Sequence, residues 1–439
     1  MISKFKSLKN NQGFMKYFKN TSWLLGEKVL RLLVALFVGI WVARYLGPKQ
    51  FGLLNYAQSF VGLFMVIASM GLDSIVVKEL VNDKSTINKT LGTAFILKLI
   101  GAIIVFLLIY ISIHLTSNDS ETNFLIYIIM LGTIGQAFNV IDLFFQSQVI
   151  SKYAVYANLG SMLISSCAKI ILILSEAPLI AFAIVSTIDV FVVAIGLLYF
   201  YSKQGFNIFS WQISLVQGKK LLSLSWPLIL SGFVVSIYMK IDQVMIKEFL
   251  DNESVGYYAA AVKVSSIWLF LPMIIANSLF PAIINAKNIS YALYYERLQK
   301  MYILIIWFAI VFAIFVSVFA KGIVYFLYGK AYMLSSNVLI IHVWSGIFIG
   351  LLAVSGKWYI IENLTKHIFM RNAIGLLINV GMNIILIPIY SIKGAAFATL
   401  VSYFFSGYLF DVFSKKTRES FITKTKAFNI MHLIKKGTT

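Results

Sequence analysis

One cysteine, Cys167, and four histidines are all that the chain offers of thiol and imidazole chemistry. A single thiol excludes an intramolecular disulfide framework and any cysteine-rich metal site. His114, His342, His367 and His432 are too scattered to suggest a metal cluster. Charge is scarce as well: 12% of the 439 residues are charged, against roughly 25% in soluble domains. The chain shows no glycine-rich phosphate loop, no nucleophile elbow and no nucleotide-binding domain, so ATP hydrolysis within it is excluded. These absences point away from an enzyme and from any cofactor or metal. What is abundant is apolar sequence, with 60% hydrophobic residues.

The stretch around which the rest is organised is WVARYLGPKQFGLLNYA, residues 41–57. It leaves one apolar run, turns through Leu46-Gly47-Pro48 and enters the next, as a helical corner at a membrane surface would. The corner recurs: KEFLDNESVGYYAAA (247–261) aligns with residues 43–57 at a constant offset of 204. Tyr45 then meets Phe249, Leu46 meets Leu250, Gly52 meets Gly256 and Ala57 meets Ala261. Ser22-Trp23 is echoed by Ser225-Trp226 with a one-residue slip. The chain reads as two related halves.

A membrane span needs about 20 apolar residues. Candidates fall at 21–43, 53–77, 91–115, 123–145, 154–174 and 178–201, then at 222–246, 256–284, 297–320, 336–358, 367–388 and 392–413. The expected fold class is therefore all-α, a polytopic membrane protein of about twelve helices in two six-helix lobes around a central cavity. The expected organisation is a basic N-terminus (1–20), a first lobe (21–201), a linker (202–221), a second lobe (222–413) and a basic tail (414–439). With the N-terminus inside, the inner segments hold twenty-four Lys and Arg and the outer joints six. That asymmetry places both termini in the cytoplasm. It also accounts for most of the formal net charge of +20 without nucleic acid. The first nineteen residues are lysine-rich without an apolar core, so no cleaved signal peptide is expected. Six spans per half gives parallel repeats, a common transporter plan.

Ionisable residues within spans are costly and point to a cavity or a partner. Glu27, Lys28 and Arg31 share one face of span 1, and Glu27–Arg31 is spaced for a self-neutralising pair. Lys98, Lys169 and Lys263 lie in spans 3, 5 and 8; Asp189 lies in span 6, and Lys240 and Asp242 near the outer end of span 7. Asp73, Asp142 and Lys357 sit near inner ends. Span 5 carries a polar stripe of Asn158, Ser161, Ser165 and Lys169, span 4 one of Asn139, Asp142 and Gln146, and span 11 one of Asn372, Asn379 and Asn383. Such stripes serve helix packing as readily as transport. Lys28, Arg31, Lys98, Lys169 and Lys263 outnumber Glu27 and Asp189, so a cavity built from them would attract an anion. Glu27, Asp189 and Asp242 are the candidates for proton or sodium coupling. Pro272 and Pro281 in span 8 suit a kinked helix.

VARYLGPKQFGLLNYAQSF (42–60), IDQVMIKEFLDNESVGYYAAAVKVSS (241–266) and YSIKGAAFATLVSYF (390–404) resemble the O-antigen flippases, the Wzx type of polysaccharide exporter. These share a superfamily with MATE antiporters and lipid II flippases. The resemblance implies alternating access in a bacterial cytoplasmic (inner) membrane, with no catalytic residues. The implied substrate is an undecaprenyl-pyrophosphate-linked oligosaccharide, the repeat unit of O-antigen lipopolysaccharide or a similar surface polymer. It also implies a polymerase and a chain-length regulator as pathway partners. Asp242 occupies the position of an acid usual on the family's seventh span. The chain departs from the lipid II flippases, whose arginine–aspartate pair near the end of span 1 corresponds here to apolar sequence around Val38 and Gly39. The alternatives are a MATE-type antiporter of small cations, which would want more acids, and a polymerase-like membrane enzyme, which would want a large outer loop. A scaffold is disfavoured by the number of intramembrane charges.

Overall fold

The computed structural model describes residues 12–429, whose regular structure is all helix, with no strand among them. Lys4, Lys6, Lys9, Lys435 and Lys436, part of the basic ends, lie outside the described residues. The first helix, Gln12–Ser69, is two helices broken at Gly47, whose φ of 68° lies in the left-handed region. Glycine adopts that conformation without steric cost, and Pro48 then opens the next helix, where its missing N–H is of no consequence. The corner is thus α1 (12–46) followed by α2 (48–69).

The chain continues through α3 (Asp73–Asn82), α4 (Ile87–Ile113), α5 (Ser120–Gly135), α6 (Val140–Ser147), α7 (Lys152–Leu174) and α8 (Leu179–Lys203). Then come α9 (Leu215–Phe249), α10 (Asn252–Ser266), α11 (Phe270–Ile289), α12 (Tyr291–Tyr328), α13 (Ser335–His342) and α14 (Ser345–Ile361). The last are α15 (Thr365–Tyr390), α16 (Ile392–Gly407) and α17 (Arg418–Ala427). Side-chain caps start several of them: Asp119, Asp251 and Ser290 accept from the backbone N–H of Thr122, Ser254 and Leu293. Each satisfies an amide that the first helical turn leaves unpaired.

Ten helices among the described residues are long and apolar enough to span a membrane. The first of these includes the break at Gly47 and so counts as two, and α13 with α14, bent by 41°, forms one broken span, which reaches the twelve expected. Span 4 is interrupted by a 3-10 turn at Gln136–Asn139, and span 8 by another at Ile267–Leu269. Pro272, three residues into α11, cannot donate to the carbonyl four residues back, which explains the second break. Ile103, Leu107, Val318 and Leu377 are exposed along the helices, as side chains facing acyl chains would be.

By contact the chain forms two compact units, one of residues up to Leu46 with Ala57–Ser236, the other of Gly47–Tyr56 with residues from Ile237. In the first, Leu72, Val76, Leu80, Leu91, Phe144, Phe145 and Tyr201 form a buried core where α3, α4, α6 and α8 meet. The segment after α8 packs onto it. Trp211 donates to the Tyr201 hydroxyl (3.1 Å), Gln212 N–H to Asn88 O (3.1 Å), and Ser214 N–H to Thr93 Oγ1 (3.0 Å). Lys220 pairs with Glu79. Residues 215–221, expected as linker, are the first two turns of α9.

In the second unit, Trp268, Tyr294, Leu298, Met301, Tyr302, Leu351, Trp358 and Tyr359 make the core. There α2 and α10 cross at the two glycines that the repeat aligns. A Cβ on Gly52 would strike the Asn252 carbonyl, and one on Gly256 the Pro48 carbonyl. Only glycine permits backbones this close, and close approach is what binds helices where lipid removes the hydrophobic drive.

Candidate functional site

One buried polar constellation of the second unit is built on Asp242. It lies on α9 one turn after Tyr238, with Tyr258 on α10, Asn379 and Asn383 one turn apart on α15, and Thr399 and Ser402 on α16. All are nine-tenths or more buried. The small residues Gly394, Ala395, Ala396 and Ala398 let α16 approach α15 closely, which carries Thr399 and Asn383 to the same carboxylate. Asp242 Oδ2 accepts from Tyr258 Oη (2.7 Å) and Thr399 Oγ1 (2.6 Å), and Oδ1 from Asn383 Nδ2 (2.7 Å). Asn383 also donates to Asn379 Oδ1 (3.2 Å), and the Tyr238 hydroxyl donates to Ser402 (3.0 Å).

The donors to Asp242 are neutral. Among the described residues it makes no ion pair, so its charge is solvated but not neutralised. Asn383 Oδ1 is buried without a donor beside it. A carboxylate amid hydroxyl, amide and carbonyl oxygens is the donor set that takes up a proton or a hard monovalent cation. His342 stands behind Tyr258, its ring edge-on at 6.1 Å and its Nδ1 bonded to Ser265 Oγ (2.8 Å).

The charges of the first unit are arranged differently. Arg31 Nε lies 3.0 Å from Glu27, the i,i+4 pair that the spacing allowed. Arg31 remains half-exposed, Glu27 is largely covered, and Lys28 is exposed. Lys98 is 3% exposed and pairs with Asp73 at 2.6 Å. Its ammonium is therefore already paired with a carboxylate that is itself half-exposed, which weakens its hold on an anion. Ser161 donates to the Asp189 carboxylate and to its carbonyl (2.8 Å), joining α7 to α8, and Lys169 on the same stripe faces Asp189. In the second unit, Lys263 is exposed, its ammonium 4.7 Å from the Phe51 ring centroid. The five expected cations are thus divided, Lys28, Arg31, Lys98 and Lys169 in the first unit and Lys263 in the second.

Tyr258 and Thr399 escaped sequence reasoning, and Asn379 with Asn383 read equally well as packing. The available signal was the polar ladder Thr399, Ser402, Ser406 at spacings of three and four opposite the Asn379–Asn383 turn. Nothing local ties that ladder to Asp242, more than 140 residues earlier.

The fold and site define a class: a polytopic all-helical membrane protein of two lobes with polar clusters inside its spans. Solved structures agree. A MATE-family multidrug resistance transporter of the MOP superfamily, in an inward-facing conformation, superposes with a TM-score of 0.67 at 13% identity, over 93% of this chain and 96% of that one. The lipid II flippase MurJ in an inward closed conformation gives 0.67 at 17%, over 95% and 93%. Residues 17–287 match the family model described as polysaccharide biosynthesis protein, and the chain belongs to that family. Among curated relatives, the capsular polysaccharide biosynthesis protein CapF of Staphylococcus aureus is 22% identical over 420 residues, 88% of this chain and 98% of that one. The probable low-salt glycan biosynthesis flippase Agl15 of Haloferax volcanii is 23% identical over 380 residues, 84% and 77% respectively.

Proposed function

We propose that the protein is a flippase that moves an undecaprenyl-pyrophosphate-linked oligosaccharide, the repeat unit of O-antigen or a similar surface polysaccharide, to the outer leaflet of the bacterial cytoplasmic membrane. The observation that carries this reading is the family match over residues 17–287, on a fold shared with a lipid II flippase. Both termini are cytoplasmic in this reading, as the Lys and Arg asymmetry requires. Lys28, Arg31, Lys169 and Lys263 meet the pyrophosphate, a compact multiple anion whose passage through a low dielectric needs cations. Lys98 holds Asp73 instead. The protein acts as a transporter without a chemical step and hands its cargo to a polymerase and chain-length regulator.

Coupling falls to Asp242, which binds a proton or sodium ion in exchange for one of its neutral donors. Glu27 and Asp189 are weaker coupling candidates because each already faces a cation, Arg31 and Lys169 respectively.

The test is made in cells lacking the protein, by extracting lipid-linked oligosaccharides and finding which membrane face exposes them. Single repeat units confined to the cytoplasmic face are the expected result. Single units on the outer face, unpolymerised, would overturn the reading in favour of a polymerase. Unchanged pools would overturn it in favour of a small-molecule antiporter.

A further inference from the structure

The segment that joins α8 to α9 is held against the start of α4. A Cβ on Gly92 would strike the Gln212 carbonyl, so glycine is what lets the segment cross there. Gln212 and Ser214 bond to α4 through their N–H groups, and Gln217, one turn into α9, donates to Thr90 Oγ1 (3.1 Å). At Gly218 a Cβ would touch the Thr93 methyl group. Between the two helices lies a groove of about 540 Å³, all of it inside the first unit. Ile96, Leu97 and Ile100 form its α4 wall, Leu222 and Ser223 its α9 wall, and Ile213 closes the end where both helices begin.

That end carries positive charge. Lys219 lines the groove and is exposed. Lys89, also exposed, stands one turn before Thr93 on the face of α4 that continues through Ile96 and Ile100. Neither lysine makes an ion pair among the described residues, and the acids near them are engaged elsewhere. Glu79 pairs with Lys220, and Asp83 accepts from the Ser85 N–H (2.9 Å) and hydroxyl (2.7 Å). Phe209, Leu215 and Val216, beside the same end, are exposed apolar side chains.

An apolar groove between two helices long enough to span a membrane, with free cations at one end only, complements an amphiphile that has one acyl chain to lay down and a negative head. Any phospholipid could fill the apolar part, so the lysines are what select. Their aliphatic stems lie along apolar surface while the ammonium groups reach headgroup level. We infer that this groove binds one anionic phospholipid, its acyl chain on Ile96, Ile100 and Leu222 and its phosphodiester held by Lys89 and Lys219. The bound lipid would tie the interlobe segment to the first unit. The site is independent of flipping, and its test reads binding alone.

Purified full-length protein in detergent is titrated separately with phosphatidylglycerol, phosphatidylcholine and undecaprenyl phosphate, and bound lipid is counted by native mass spectrometry. One phosphatidylglycerol should be retained saturably and in preference to phosphatidylcholine, and inorganic phosphate should not displace it. Lys89→Gln with Lys219→Gln should weaken that retention roughly thirtyfold, about 1 kcal/mol for each lysine, with melting in detergent near wild type because both side chains are exposed. Ser223→Phe, which fills the groove and leaves every charge in place, should weaken it as well. Lys415→Gln with Lys416→Gln, an equal loss of charge from exposed lysines of the second unit, should leave it unchanged. Equal retention of phosphatidylglycerol and phosphatidylcholine, an equal loss in the second-unit variant, or full retention by Ser223→Phe would each overturn the site. Displacement by inorganic phosphate would make it a free-phosphate site, and tighter binding of undecaprenyl phosphate would make it a substrate groove; either would overturn the assignment to phospholipid.

Discussion

Asp73 of the first unit and Asp242 of the second are both intramembrane carboxylates with well-made hydrogen bonds, yet they are compensated in opposite ways. Asp73 is half-exposed and meets an ammonium, Lys98, that is almost wholly buried. Asp242 is itself buried and meets three neutral donors. A fixed counter-charge makes the first pair a structural clamp, since separating it would leave Lys98 charged in a low dielectric. Neutral donors stabilise the second without cancelling its charge, which is why the proposed coupling falls to it. The difference teaches that a carboxylate's role in such a protein follows from the charge of its partners more than from its depth.

The largest expected effect breaks the comparison on the second side. Asp242→Asn keeps the size and one acceptor oxygen, so the protein should insert and accumulate, but export should fall by roughly tenfold or more as the coupling charge disappears. Export by this variant at the wild-type rate, measured as outer-face lipid-linked oligosaccharide, would remove Asp242 from the mechanism. On the first side the same exchange should act on stability. Asp73→Asn strands Lys98 and should cost about 2–4 kcal/mol. Lys98→Met leaves only a half-exposed carboxylate and should cost about 1 kcal/mol or less. Denaturation of both single variants and the double variant in detergent gives this asymmetry directly, and equal losses would contradict it. Thr399→Val removes one neutral donor from Asp242 and should cost about 1–2 kcal/mol, with the dependence of transport on the cation gradient blunted rather than abolished. The smallest change is expected at the exposed end of the scale. Arg31→Gln breaks an i,i+4 pair worth about 0.3–0.5 kcal/mol, so thermal stability should barely move while export declines through weaker attraction of the pyrophosphate.

Much of this architecture was legible in the residues. Gly47-Pro48 announced the corner, and the offset that pairs Gly52 with Gly256 identified two positions that the structure brings to one helix crossing. Twelve apolar runs foresaw the spans, including the one broken between His342 and Ser345. The spacing of Glu27 and Arg31 foresaw their pair. The partners of the remaining charges were not legible. That Lys98 pairs with Asp73 shows only in the fold. Arg371 and Lys424, two of the twenty-four cations counted to the inner side, are both buried, and Lys424 pairs with Asp411 where α17 folds back. In each case the deciding neighbour lies on another helix, brought close by packing rather than by sequence separation.

The sequence by itself determined what depends on one segment at a time: which runs are long and apolar enough to cross a bilayer, where a glycine and a proline turn the chain, and the bias of Lys and Arg that orients the spans. Those properties are nearly additive along the chain, because transfer of a helix into lipid sums over its own residues. Only the tertiary structure decided which charges are neutralised and which are left available. That outcome rests on distances of about 3 Å between side chains of different helices, and a rotation of one helix by a single residue would exchange the partners of Lys98, Asp242 and Lys424 alike.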